Sequence, residues 1–218
     1  MSISSVINKI RKRPGMYLGS NSITALSHFL DGYQMAERDY DVCSREELFP
    51  LEFRYMHEFI RCKLNSENNL GWCSNILDFC NGDEEKALNK FFELFDEFTK
   101  IKMKRYWRAV LTKDNIKWNN SMEHVYRTYR MGENDKEPVF VNPIAVYVIE
   151  LTIDAYILAV ETSKDFLCES EFFSSFEQAK GKNRIPLGAE VYFGQIDSWE
   201  EFSDEKIEFM KERLVYGN

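Results

Sequence analysis

From Asp83 the chain runs to Phe98 with Leu88, Phe91, Phe92, Phe95 and Phe98 on one helical face. Four phenylalanines on one stripe bury a large apolar area, so this segment is expected to be the central helix of a core. An open aromatic groove for a partner is the other use of such a stripe, but the spacing is that of an ordinary core. The preceding segment, Gly71 to Cys80, reads as a short helix closed by Asn81-Gly82.

Upstream, the sequence predicts helices joined by turns. Ser4 to Lys12 makes two helical turns and Pro14-Gly15 stops them. Met16-Tyr17-Leu18 reads as a short extended clip, with Met16 and Leu18 inserted on one side and the Tyr17 ring buried. A helix is expected from about Ile23 to Glu37, with Leu26, Phe29, Leu30, Tyr33 and Met35 at helical spacing. Ser44 with Glu47 has capping-box form and Pro50 fits the next first turn. Phe49, Phe53, Met56, Ile60 and Leu64 then share a stripe. Asn120 with Glu123 predicts one more helix, ending near Met131.

The pattern then changes. β-Branched residues are dense from Val139 to Thr162 and Ile149 to Asp154 alternates apolar with polar, which favours strands. Ile144, Val148, Leu151, Ala155 and Leu158 also fit a helical stripe after Asn142-Pro143, so helix stays open as the alternative. Glu190 to Gln195 predicts a further strand, and Ser174 with Glu177 caps a short helix that Gly181 closes. Ser198 with Glu201 is read as the start of a C-terminal helical region. The expected fold is α+β and predominantly helical. A helical region, 1–131, packs with an acidic α+β region, 139–218, as one compact domain, the boundary falling at Gly132 to Pro138; all-α is the close alternative.

Charge is uneven along the chain. Residues 1–130 hold 20 Lys and Arg against 18 Asp and Glu, whereas residues 131–218 hold 8 against 18. Such an acidic last third attracts a basic partner and repels nucleic acid. The five cysteines form no CxxC pair and leave an odd count, which argues against a disulfide framework or a zinc site. Pro143 to Val160, the longest apolar stretch, is broken by Glu150 and Asp154 and makes a poor membrane span. The first residues lack the apolar run of a secretory signal. A cytoplasmic protein without membrane attachment is expected.

No sequence motif supports catalysis. His28, His57 and His124 lie in no catalytic pattern, and GxSxG, HExxH and GxxxxGK[ST] are missing. Carboxylate pairs such as Glu84-Glu85 and Asp96-Glu97 match the solvated face of amphipathic helices. No enzyme, metal or cofactor is expected.

One string is specific. Ile10-Arg11-Lys12-Arg13-Pro14-Gly15-Met16-Tyr17-Leu18-Gly19 resembles the opening motif of the ATPase subunit of DNA gyrase and topoisomerase IV. That resemblance covers about 20 residues and departs at every catalytic position. Gly32 stands where the family has its acidic base, and Met35-Ala36 where it has an Asp-Asn pair. The downstream Asp-x-Gly-x-Gly is missing as well. This opening, with Gly71-Trp72 and the acidic Phe-rich helix, also resembles small bacterial immunity proteins of contact-dependent growth-inhibition and polymorphic toxins. The resemblance implies no chemistry, tight binding of one cognate toxin, and occlusion of the toxin's active site.

The resulting expectation is an inhibitor of a basic nuclease or RNase toxin, which has to grip phosphate backbones. Candidate contacts are Glu169, Glu171, Asp197, Glu200, Glu201, Asp204 and Glu208, with Tyr192 and Trp199 as aromatic anchors. No direct nucleic-acid binding is expected of this surface. The alternative is a nucleic-acid-binding regulator that uses the basic segment Lys100 to Arg130 with Tyr106, Trp107, Trp118, Tyr126 and Tyr129.

Overall fold

The computed structural model describes residues 3–39, 53–66, 70–112, 116–118, 125–126, 139–140, 143–162, 166–168, 171–182, 184–186, 190–193, 196 and 198–202. The fold is α+β, which removes the all-α alternative. The chain divides into two compact units, residues 1–101 and 102–218, so the division falls well before Gly132.

The first unit is helical: α1 (Ile3–Lys12), α2 (Pro14–Leu18), α3 (Ile23–Asp39), a 3-10 turn (Phe53–Tyr55), α4 (Met56–Lys63), α5 (Trp72–Phe79) and α6 (Glu84–Phe98). As the Phe stripe predicts, α6 is the core helix, with Phe91, Phe92, Phe95 and Phe98 all buried. Phe91 stacks on Phe95 at 5.9 Å between centroids, and Phe53 and Phe59 pack against Phe95 and Phe98. Asp83 caps α6 by accepting from the Lys86 N–H at 2.9 Å.

Glu84, in the first turn of α6, also ties down the start of α3. It accepts from Ser22 Oγ at 2.7 Å, the Thr24 N–H at 3.0 Å and Thr24 Oγ1 at 2.7 Å. Hydrogen bonds from the Thr24 hydroxyl and amide hold its carboxyl below the ordinary carboxylate range. The predicted clip at Met16 to Leu18 is instead α2, a helical turn begun by Pro14 and closed by Gly19 at φ 74°. Met16 is exposed rather than inserted, because Pro14 at the first turn favours helix over strand. The Ser44, Glu47, Phe49 and Pro50 expectations lie outside the described residues.

The second unit is built on an antiparallel five-stranded sheet. It contains β1 (Met103–Val110), β5 (Pro143–Leu151), β6 (Tyr156–Thr162), β7 (Phe166–Cys168) and β10 (Glu200–Phe202), in the order β10-β1-β5-β6-β7. A second sheet orders β2 (Ile116–Trp118), β9 (Glu190–Phe193) and β8 (Arg184–Pro186) as β2-β9-β8, and β3 (Val125–Tyr126) pairs with β4 (Val139–Phe140). Strands replace the expected helical region at 103–110, 116–118 and 125–126, so the helix ending near Met131 is not formed at Val125-Tyr126. They also replace the helix start at Ser198 to Phe202. There, cross-strand pairing of Tyr106 with Phe202 and of Trp107 with Glu201 wins over the capping-box pattern.

The strand reading of 139–162 holds. β5 and β6 form a hairpin around Thr152 to Ala155, with Asp154 at φ 53°, a conformation that aspartate tolerates. In β5, Ala145 to Leu151 are buried without a break, so the strand is covered on both faces and its polar alternation is weak. The short helix α7 (Phe176–Gly181) covers one face; its cap is Ser175 Oγ, which accepts from the Gln178 N–H at 3.1 Å. Val146, Val148, Leu158 and Val160 pack there with Phe173 and Ala179.

Candidate partner-binding site

The predicted contact residues do not gather into one surface. Glu169, Asp197, Asp204 and Glu208 lie outside the described residues. Tyr192 is in β9 of the smaller sheet, where it pairs with Lys117 and Arg184 in register. Glu171 is exposed and forms an ion pair with Lys182. Trp199, Glu200 and Glu201 do stand together, at the end of the five-stranded sheet.

This end is ordered by side chains of β1. Trp199 packs edge-on against Phe176 at 5.7 Å, and Phe176 lies 4.6 Å from the Trp107 ring. The Trp199 ring is half-buried, and its indole Nε1 is buried with no acceptor among the described residues. Glu200 is exposed and forms no ion pair among the described residues, while Glu201 is exposed and accepts from Arg105 Nη1 at 3.1 Å. Arg105 is therefore shared. Its guanidinium lies 4.8 Å from the Trp107 ring and its Nε donates to Glu150.

Glu150 is a buried carboxylate that the strand alternation predicts as solvent-facing. It is 3% exposed. Lys104 Nζ donates to it at 2.8 Å and Arg105 is its second partner. Burial on its own raises the carboxyl pKa, but the bonds from Lys104 and Arg105 and their charges outweigh burial and leave it lowered. On the opposite pleat face, Tyr147 Oη donates to Glu161 at 2.6 Å and accepts from Arg108 Nε at 3.0 Å. Burial, then the bond to the Glu161 carboxylate, pushes the Tyr147 phenol up to about 12.

The basic aromatic segment thus serves the sheet. Lys104, Arg105 and Arg108 each face a carboxylate, and Tyr106 is buried between Tyr147 at 6.0 Å and Phe202 at 5.1 Å. Side-chain contacts of Trp118, Tyr126 and Tyr129 lie outside the described residues. Sequence reasoning missed Glu150, Glu161 and Tyr147. Their only signal was polar residues set in an otherwise apolar strand pair.

Among the described residues no group of three His, Cys, Asp and Glu side chains is placed to hold a metal. Burial raises the thiol pKa of Cys62, Cys73 and Cys80, which disfavours a reactive thiolate. No helix among the described residues is long and apolar enough to cross a membrane. Comparison with protein-family models, curated proteins and solved structures found no match.

Proposed function

We propose that this chain is an immunity protein that acts in the cytoplasm, binding a cognate bacterial nuclease toxin and occluding its active site. The observation that carries the reading is the sheet edge at β10, where Trp199 and the exposed Glu201 lie on the Trp107 face and the exposed Glu200 points to the other face. Half-buried aromatics flanked by charge are the usual energetic centres of protein interfaces, and exposed carboxylates steer a basic partner. The acidic surface invoked is narrower than the sequence implies, because Glu150 and Glu161 are consumed within the sheet. The nucleic-acid reading has less support, since three of its cations, Lys104, Arg105 and Arg108, are engaged by carboxylates.

The test is co-expression with the C-terminal domain of a large secreted protein encoded immediately upstream. Restored growth and a co-purifying complex are expected. With that complex in hand, Glu200→Lys and Glu201→Lys together should slow association about tenfold at low salt. Growth arrest despite full expression of the folded chain sinks the reading.

A further inference from the structure

We infer that the Met16-Tyr17 knob of the helical unit docks beside Phe79 of a second copy of this chain, giving a two-fold dimer. The knob is α2, a helix that buries none of its residues. Met16 is 69% exposed and Tyr17 39%. Folding gains little apolar burial from Met16, yet the turn is held by backbone hydrogen bonds. The Gly19 N–H donates to the Gly15 carbonyl at 3.1 Å, and the Met16 N–H donates to the Arg13 carbonyl at 3.1 Å.

The helix that carries the knob is anchored on α6. Arg11 donates to both Asp96 carboxylate oxygens, at 3.1 and 2.8 Å, and to the Phe92 carbonyl at 2.8 Å. Lys12 and Arg13, at the base of the knob, are exposed and form no ion pair among the described residues. A rigid apolar tip with two unpaired cations fits an apolar lip bordered by carboxylates.

Such a lip lies on the same unit. Phe79, 55% exposed, borders an open groove of about 510 Å³ with Asp83, Glu85, Lys86, Lys90 and Glu93. Lys90 is tied to Glu93 at 2.9 Å, and the remaining lining charges, Asp83 and Glu85 against Lys86, leave the groove a net charge of −1 toward incoming cations. Knob and groove are close neighbours, because Asn21 Nδ2, just past the knob, donates to Glu85 Oε1 at 3.1 Å. A protrusion next to its own complement makes a self-complementary patch, and a two-fold axis lets both copies exchange knobs and close the assembly. This inference is independent of the proposed function, since it uses a different unit.

Sedimentation equilibrium of the full chain in physiological salt tests it. Up to about 0.2 mM, a mass approaching twice 25.8 kDa is expected, as for a weak dimer. Met16→Glu and, separately, Phe79→Glu should each weaken the dimer at least tenfold without changing the circular dichroism, because both side chains are exposed. A monomer throughout that range overturns the inference, as does a dimer unmoved by both substitutions. A knob protected from hydrogen exchange only after a cognate toxin domain is added would assign it to that partner and also overturn self-association.

Discussion

Residues 1–101 hold 12 Lys and Arg against 16 Asp and Glu, and residues 102–218 hold 16 against 20, so both units carry a formal charge of −4. The acidic last third is partly offset by the basic segment 102–118, whose strands β1 and β2 pair with strands of that third. What differs is how each unit satisfies a buried carboxylate. In the helical unit, Glu58 takes two hydrogen bonds from Arg61, at 2.8 and 2.5 Å, one helical turn away on α4. In the sheet unit, Glu150 takes its partners from β1, 45 and 46 positions earlier. Local pairing survives as long as one helix does, whereas non-local pairing exists only once the sheet has formed.

The comparison is tested first in the helical core. Phe95→Ala deletes a ring packed between Phe91 and Phe53 and should cost about 3–5 kcal/mol in a urea titration. A loss under about 1 kcal/mol would mean that the Phe stripe is not the centre of that unit.

Next, Glu150→Gln should cost about 1–3 kcal/mol, since two cations lose their partner inside the sheet. Glu58→Gln weakens a pairing with one neighbouring cation, Arg61, on the same helix rather than with two from another strand, and should cost less. Equal losses would erase the distinction between local and non-local pairing.

Both units should weaken in acid, because Glu84 and Glu150 have folded-state pKa values below their unfolded ones. Their contribution is complete above the unfolded value of 4.5 and is lost as pH falls through the folded values. Denaturant midpoints should fall below pH 4.5, and Glu84→Gln should flatten that fall. At the other extreme, Tyr147 has a folded pKa of about 12 against 10.0 unfolded, so its contribution is complete below 10.0 and lost as pH rises to 12. Absorbance titration of Tyr147→Phe should lack the last phenolate step. A complete tyrosine titration near 10 in the folded native chain would contradict the Tyr147-Glu161 bond.

The smallest expected effect is at the sheet edge. Glu200→Lys should change stability by less than about 0.5 kcal/mol, because the side chain is exposed and forms no ion pair among the described residues. A larger change would show that β10 depends on that carboxylate.

Much of the helical unit was readable from the residues. The Phe spacing of α6, its start near Asp83 and the α3 stripe through Leu26 and Leu30 are local patterns, each contained within a few turns. The β5-β6 hairpin was readable from its density of β-branched residues. β1 was not. Its cations fall on both pleat faces, Arg105 beside Trp107 and Arg108 beside Tyr147, so the strand shows no clean polar face. Nor was β10, where a capping-box pair is overruled by pairing with residues nearly a hundred positions earlier. Of the candidate contacts, only Trp199, Glu200 and Glu201 come together, and one of the two carboxylates is already shared with Arg105.

The sequence by itself determined α1, α3, α5 and α6 and the buried Phe face of α6, because hydrophobic spacing acts between near neighbours. Tertiary structure alone decided which charges distant in sequence meet. Coulombic pairing depends on distance in space rather than along the chain, and only the sheet register brings Lys104, Arg105 and Arg108 against Glu150, Glu201 and Glu161.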